Sequence, residues 1–369
     1  MANLVDLPDP AREARVGAAG WKALFGAEPE LPDGARTELA AWAERMADLL
    51  SPSLADHLLA PAQSRFGPLL GAERIAKGQL YGRFLLQRQR ETVHMLRDAG
   101  ISFVCLKGFA LAHLLYPRPE LRIVGDVDLL LDRAELRKAT AALAAAGFKA
   151  MPIPNRFGFI SDSSFLPLVS EDGQVALDLH LAPDAWPAGR ALTAEAVFAR
   201  AARLRAGDLE LLGPAPEHAF FLLVTNTAKD RFGPEGVRKL VDAAMLLRAC
   251  PGLDWAELRE LAERGGYARS LSAFHRLLDL LGLQRALQGR GLRRLIRRNL
   301  EEIEQVAALY RTARVAQLGF YGKLRREFLL GPGPQNVLRI NLKRLRGLLR
   351  PGSGVPPGMA QRRQRGGQG

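Results

Sequence analysis

Apolar and polar positions change their spacing twice along this chain. Up to about residue 98, apolar residues recur three and four apart, as in ARTELAAWAERMADLLSPSLADHLLA (35–60) and QLYGRFLLQRQRETVHMLRDAG (79–100). This spacing predicts helices, the second closing at Gly100. The texture then shortens. ISFVCLKG (101–108) reads as a strand ending at Gly108, FALAHLLY (109–116) as a short helix stopped by Pro117 and Pro119, and RIVGDVDLLL (122–131) as a second strand. AELRKATAALAAAGF (134–148) is a helix closed by Gly147. RFGFISDS (156–163) and SFLPLVSEDGQVALDLHLAP (164–183) read as strands, the latter turning through Glu171-Asp172-Gly173. From about 214 the pattern is helical again. The fold class is therefore α+β, a small mixed β-sheet with helices between an N-terminal helical region (1–98) and a C-terminal one (213–350). Residues 99–212 form the sheet-bearing core, and the Gly, Pro and Gln content of 351–369 predicts a disordered basic tail.

Composition adds bounds. With 48% hydrophobic residues over 369 positions the chain can bury a sizeable core. No apolar run approaches the roughly 18 residues of a spanning helix. The N-terminus has no basic segment followed by an apolar one, so no secretory signal is read there. Two cysteines, Cys105 and Cys250, give no disulfide framework and no zinc spacing. These features point to a cytoplasmic location. Charge is uneven: from residue 286 onward 18 Lys and Arg face 4 acids, whereas the first 285 residues are near neutral. Such a basic end attracts an anionic surface or nucleic acid, or simply keeps helices soluble.

Two acids interrupt the second strand. A strand repeats every two residues, so Asp126 and Asp128 share a face with Cα atoms about 6–7 Å apart. Like charges among Val127, Leu129, Leu130 and Leu131 are costly unless a cation neutralises them or the strand end is solvated. Hard divalent ions such as Mg²⁺ take oxygen-only ligands and share them with phosphates. At Lys107-Gly108 a strand turns into a helix, leaving backbone N–H groups that favour phosphate, with Lys107 adding a cation. In ALDLHL, Asp178 is again an acid in an apolar strand, and His180 shares its face as acid-base group, metal neighbour, hydrogen-bond orienter or core residue. Three carboxylates beside a glycine turn are the equipment of two-metal phosphoryl chemistry. Arg122 is either a triphosphate contact or a solvated arginine at a strand start. His113 reads as packing beside Tyr116, and Cys105 as core.

The order glycine turn, helix, Asp-x-Asp strand, then a single Asp resembles the nucleotidyltransferase superfamily that includes DNA polymerase beta and the antibiotic nucleotidyltransferases. CLKGFALAHLLYPRPELRIVGDVDLLL followed by ALDLHL is more closely similar to a bacterial branch described as uncharacterised nucleotidyltransferases, over roughly residues 80–250. The resemblance implies an enzyme that uses a nucleoside triphosphate and Mg²⁺ or Mn²⁺. It implies that Asp126, Asp128 and Asp178 bind metal and that Gly108 lies against the nucleotide phosphates. Lys107, Arg122 and His180 stand beside them at the nucleotide. Where the superfamily has Gly-Ser this chain has Lys-Gly, so the serine that touches a phosphate is missing, and Lys107 either takes over that contact or serves another purpose. Two function classes stand: a nucleotidyltransferase acting on an unidentified small molecule, peptide or protein, and a non-catalytic nucleotide sensor or scaffold on the same fold.

In NVLRINLKRLRGLLR (336–350), Leu338, Leu342, Leu345 and Leu349 recur at helical spacing, with Arg339, Lys343, Arg346 and Arg350 one position on. Such a helix lies on an anionic membrane, grips nucleic-acid phosphates, or packs its leucines on the helical region.

Overall fold

The computed structural model describes residues 9–28, 30–151, 164–206, 209–283 and 294–348. Five helices lead: α1 (Pro10–Leu24), α2 (Arg36–Leu49), α3 (Pro52–Leu58), α4 (Ala60–Phe66) and α5 (Ala72–Asp98). Local chemistry sets their ends. Asp9 caps α1 by accepting from the Ala11 N–H at 2.9 Å, with Pro10 in the first turn. The helical pattern of 35–60 is broken where Ser51 caps α3 ahead of Pro52. α5 ends as expected before Gly100, whose φ of +65° a side chain would resist.

The middle of the chain follows as β1 (Phe103–Leu106), α6 (Lys107–Leu115), a 3-10 turn (Pro119–Leu121), β2 (Asp126–Leu131), α7 (Leu136–Ala145), β3 (Lys149–Ala150), β4 (Ser164–Val169) and β5 (Ala176–His180). Two short helices, α8 (Ala188–Ala191) and α9 (Ala194–Ala199), precede β6 (Ala202–Ala206) and β7 (Leu209–Gly213). The β6–β7 pair is an antiparallel two-stranded sheet that the sequence reading did not separate out. The strand expected over 156–163 lies outside the described residues.

The main sheet runs β1-β2-β5-β4-β3, with β2 and β5 parallel and every other pair antiparallel, so it is mixed as expected. Side chains alternate between its faces. Phe103, Cys105, Val127, Leu129, Leu131, Leu177 and Leu179 join Val93 and Leu96 of α5 in one core. Val104, Leu106 and Leu130 point the other way, into a larger helical core. Asp126, Asp128, Asp178 and His180 alternate with the first set and therefore face the helices.

That larger core is built from both ends of the chain. Six helices complete it: α10 (Pro216–Lys229), α11 (Glu235–Ala249), α12 (Trp255–Arg264), α13 (Ala268–Leu280), α14 (Arg297–Thr312) and α15 (Phe320–Leu330), and α16 (Pro334–Leu348) packs on α15. Trp21 of α1 donates from Nε1 to the Tyr310 carbonyl, and Trp42 of α2 to the Arg311 carbonyl, each at 2.8 Å. Both indoles are fully buried, so α1 and α2 are bound into the C-terminal helices. On α16, Leu338, Leu342 and Leu345 are 55%, 47% and 52% exposed. Of the three placements open for this helix, packing of the leucines on the helical region is not the one seen: Val337 is its buried apolar residue among those whose burial is described, while Leu349 and residues 351–369 lie outside the described residues. No described helix is long and apolar enough to cross a membrane.

Candidate active site

The site begins at a strained junction. β1 ends at Leu106 and α6 starts at Lys107, which holds φ +47°, a left-handed value that costs a non-glycine residue about 1 kcal/mol or more. Its side chain is thereby turned back to the sheet. Leu106 pairs with Asp128 across β1–β2, and Asp128 pairs in parallel register with Asp178 on β5. One row of the sheet thus carries two carboxylates side by side, and Lys107 leads off its end.

These groups meet. Lys107 Nζ lies 2.5 Å from Asp128 Oδ1 and 3.5 Å from His180 Nε2. His180 Nε2 lies 2.7 Å from Asp128 Oδ1 and 3.2 Å from Asp178 Oδ2. A carboxylate only accepts, so the proton sits on Nε2, which donates into the pair. Nδ1 is buried with no hydrogen-bond partner. Asp128 and His180 are buried, Asp178 is half-buried, and Asp126 at the strand's start is open to solvent.

The charges set each other's proton affinity. Burial alone would raise the Asp128 carboxyl, but Lys107 and His180 beside it bring it down to about 2. Burial would lower Lys107 and His180, and their carboxylate partners outweigh it, so both hold their protons more tightly than usual. Asp126 moves the other way. Desolvation by the cleft wall and the charge of Asp128 push it up, although its side chain opens on water.

Among the described residues, Asp128, Asp178 and His180 bring one ligand atom each within 4.8 Å of one another. This differs from the expected trio, because Asp126 stands one strand step outside the tight group and His180 falls within it. The donor set suits a divalent cation, and the Lys107 ammonium already supplies positive charge against Asp128. Carboxylate oxygens suit hard divalent ions, and an imidazole nitrogen suits softer ones. His180, donating from Nε2, orients the carboxylates in this state.

Gly108 and Arg122 interlock. A Cβ at Gly108 would lie 3.0 Å from Arg122 Nη1 and 3.3 Å from Val124 Cγ1, so a side chain there would crowd both neighbours. Arg122 is buried, with Nη2 donating to Asp242 Oδ2 at 2.7 Å and Nε to Oδ1 at 3.3 Å. Tyr116 donates its hydroxyl to the same carboxylate at 2.7 Å. Arg122 is thus neither solvated nor a strand start. It ties the loop before β2 to α11 while Nη1 supports the Gly108 turn. α6 has no side-chain cap at its first turn, so its leading N–H groups face the cleft unclaimed by a capping side chain. His113 packs on Phe109, not on Tyr116, with ring centroids 4.8 Å apart.

A cleft of about 550 Å³ opens over these groups. Asp126, Asp128, Asp178, Lys107 and Gly108 line one side, and Asn226 of α10, Asp230 just after it, and Glu235, Arg238 and Lys239 of α11 line the other. Lys239 bonds Asp230, yet burial and the nearby cations Lys229, Lys107 and Arg122 bring it down to about 7. Arg238 Nη1 donates to the Ile123 carbonyl at 3.2 Å. Below the cleft, buried Asp184 bonds Lys229 and Thr225, and its charge reinforces Lys107. The sequence reading missed this second wall. Its one legible signal was Asp242, an acid inside the apolar run VRKLVDAAMLL.

A mixed sheet thus gathers carboxylates at one end, under a cleft whose far wall carries Arg238 and Lys239 beside Asp230 and Glu235. Residues 40–282 match the family described as uncharacterised nucleotidyltransferase, and the chain belongs to that family. The match begins at residue 40, well before residue 80, so most of α2 and all of α3 and α4 fall within it. No curated protein matches the chain.

Proposed function

We propose that this protein transfers a nucleotidyl group from a nucleoside triphosphate such as ATP to an acceptor hydroxyl, releasing pyrophosphate. The observation that carries this reading is the in-register pair Asp128 and Asp178 lining a cleft that Arg238 and Lys239 also line, with His180 joining the pair within 4.8 Å. Asp126, Asp128 and Asp178 would hold Mg²⁺ or Mn²⁺, which supplies Lewis-acid charge to the attacking and leaving oxygens. The other groups position and neutralise. The α6 N-terminal N–H groups and Gly108 accept the phosphates closely, as the absent Cβ permits. Lys107 moves its charge from Asp128 to a phosphate oxygen, taking the part of the superfamily's serine. Arg122 holds the turn from beneath, and Lys239 and Arg238 face the pyrophosphate. Asp178 takes the proton of the acceptor hydroxyl as its oxygen bonds to the α-phosphorus and the bond to pyrophosphate breaks. Residues 99–212 are the catalytic core in this reading, the surrounding helices choose the acceptor, and the setting is the cytoplasm.

One observation favours a non-catalytic nucleotide sensor: the Lys107 ammonium already neutralises Asp128. The two readings part on one experiment. Purified protein is incubated with each α-³²P nucleoside triphosphate, Mg²⁺ or Mn²⁺, and cell extract, beside Asp128→Asn. Label moved to an acceptor by the wild type and reduced at least about 10²-fold in the variant supports transfer. Metal-dependent nucleotide binding without transfer establishes the sensor.

A further inference from the structure

We propose that α16 seats the protein on an anionic lipid surface, with Leu338, Leu342 and Leu345 entering the headgroup boundary while Arg339 and Lys343 meet the lipid phosphates. The proposal is independent of the chemistry in the cleft. Each residue advances a helix by about 100°, so the three leucines form one stripe and Arg339 and Lys343 one flank beside it. All five are exposed. Contacts fix the rotation. Val337 is fully buried, Arg344 Nη1 donates to Glu327 Oε1 at 2.8 Å and Oε2 at 3.0 Å, and Arg339 stacks its guanidinium 4.7 Å over the Trp186 ring. The Gly333 N–H, just before the helix, donates to the Gly266 carbonyl at 3.0 Å. The stripe cannot roll inward without breaking these contacts.

Charge selects the occupant. Residues 334–369 carry eight Lys and Arg and no acid. A second copy of the same face would set Arg339 and Lys343 against their own counterparts, with no acid in residues 334–369 to offset them. Nucleic acid would satisfy the cations through phosphate and leave three half-exposed leucines in water. An anionic bilayer takes both, as an interfacial helix with an apolar stripe and a basic flank requires.

The test uses the full chain in sedimentation with vesicles of phosphatidylcholine, alone or mixed with phosphatidylglycerol, at low and high salt. Sedimentation with the anionic vesicles only, weakened by salt, is expected. The triple variant Leu338→Ser/Leu342→Ser/Leu345→Ser should lose binding by roughly tenfold or more, and Arg339→Gln/Lys343→Gln should erase the preference for anionic lipid. Leu342→Trp, read by fluorescence, should shift its emission to the blue on adding anionic vesicles. No binding, equal binding to both vesicle types, or an unshifted tryptophan overturns the proposal. So does a dimer in sedimentation velocity that the leucine variant dissolves, or nucleic-acid binding indifferent to the leucines in a protein that ignores vesicles.

Discussion

At the scale of single residues, Lys107 carries the most consequence. Its φ of +47° and its ion pair with Asp128 mean that backbone strain is spent on placing one ammonium among carboxylates. A divalent ion at Asp128 and Asp178 competes with that charge. Lys107→Met should therefore tighten Mn²⁺ binding, measured by calorimetry, by roughly tenfold, about 1.4 kcal/mol, while reducing nucleotide affinity. Unchanged metal affinity would mean that the lysine does not compete. Lys239 gives a second test. At about 7 it lies below the roughly 10.4 of an unfolded lysine, so between these values the unfolded chain binds the extra proton and stability rises with pH. Peptide-resolved acylation of Lys239 should be half-maximal near pH 7, and a bound triphosphate should move the midpoint up. A midpoint near 10 in the free protein would show that burial and the neighbouring cations do not govern this amine.

At the scale of elements, the cleft depends on α11 being held against the loop before β2. Asp242 does this by accepting from Tyr116 and Arg122 at once, in a fully buried position. Removing one partner of a buried charge pair strands the other. Asp242→Ala should cost about 3–5 kcal/mol in urea unfolding, and Tyr116→Phe only about 1 kcal/mol, since Arg122 still pairs. Equal costs would place the strength in the hydroxyl. Strands β1, β2, β4 and β5 were legible because Val, Leu and Phe runs between glycines and prolines leave few alternatives. The β6–β7 pair was missed: each strand is only five residues long, too short for its alternation to stand out between the flanking helical runs.

At the scale of the whole molecule, the N-terminal and C-terminal helices share one core across nearly the entire chain. The Trp21 and Trp42 indoles end on carbonyls at the close of α14. Unfolding followed by tryptophan fluorescence and by far-ultraviolet circular dichroism should coincide in one transition, and Trp21→Phe should lower stability by about 1–3 kcal/mol through the buried carbonyl it leaves unpaired. Two separated transitions would mean that the helical regions fold apart.

The sequence by itself determined what is local or periodic. It placed Asp126 and Asp128 on one face of a strand and Asp178 and His180 on one face of another, ended helices at Gly100 and Gly147, and showed where the excess positive charge lies. Strand period and helix-ending glycines act over a few residues, so they need no knowledge of the fold. Tertiary structure alone decided that β2 and β5 run side by side in register, which is what makes two separate acids one cluster and draws His180 into it. It also brought Lys239 and Arg238 over the carboxylates, gave Arg122 to Asp242, and turned the leucines of α16 to solvent. Each of these joins residues far apart in the chain, where the outcome depends on which surfaces packing leaves buried.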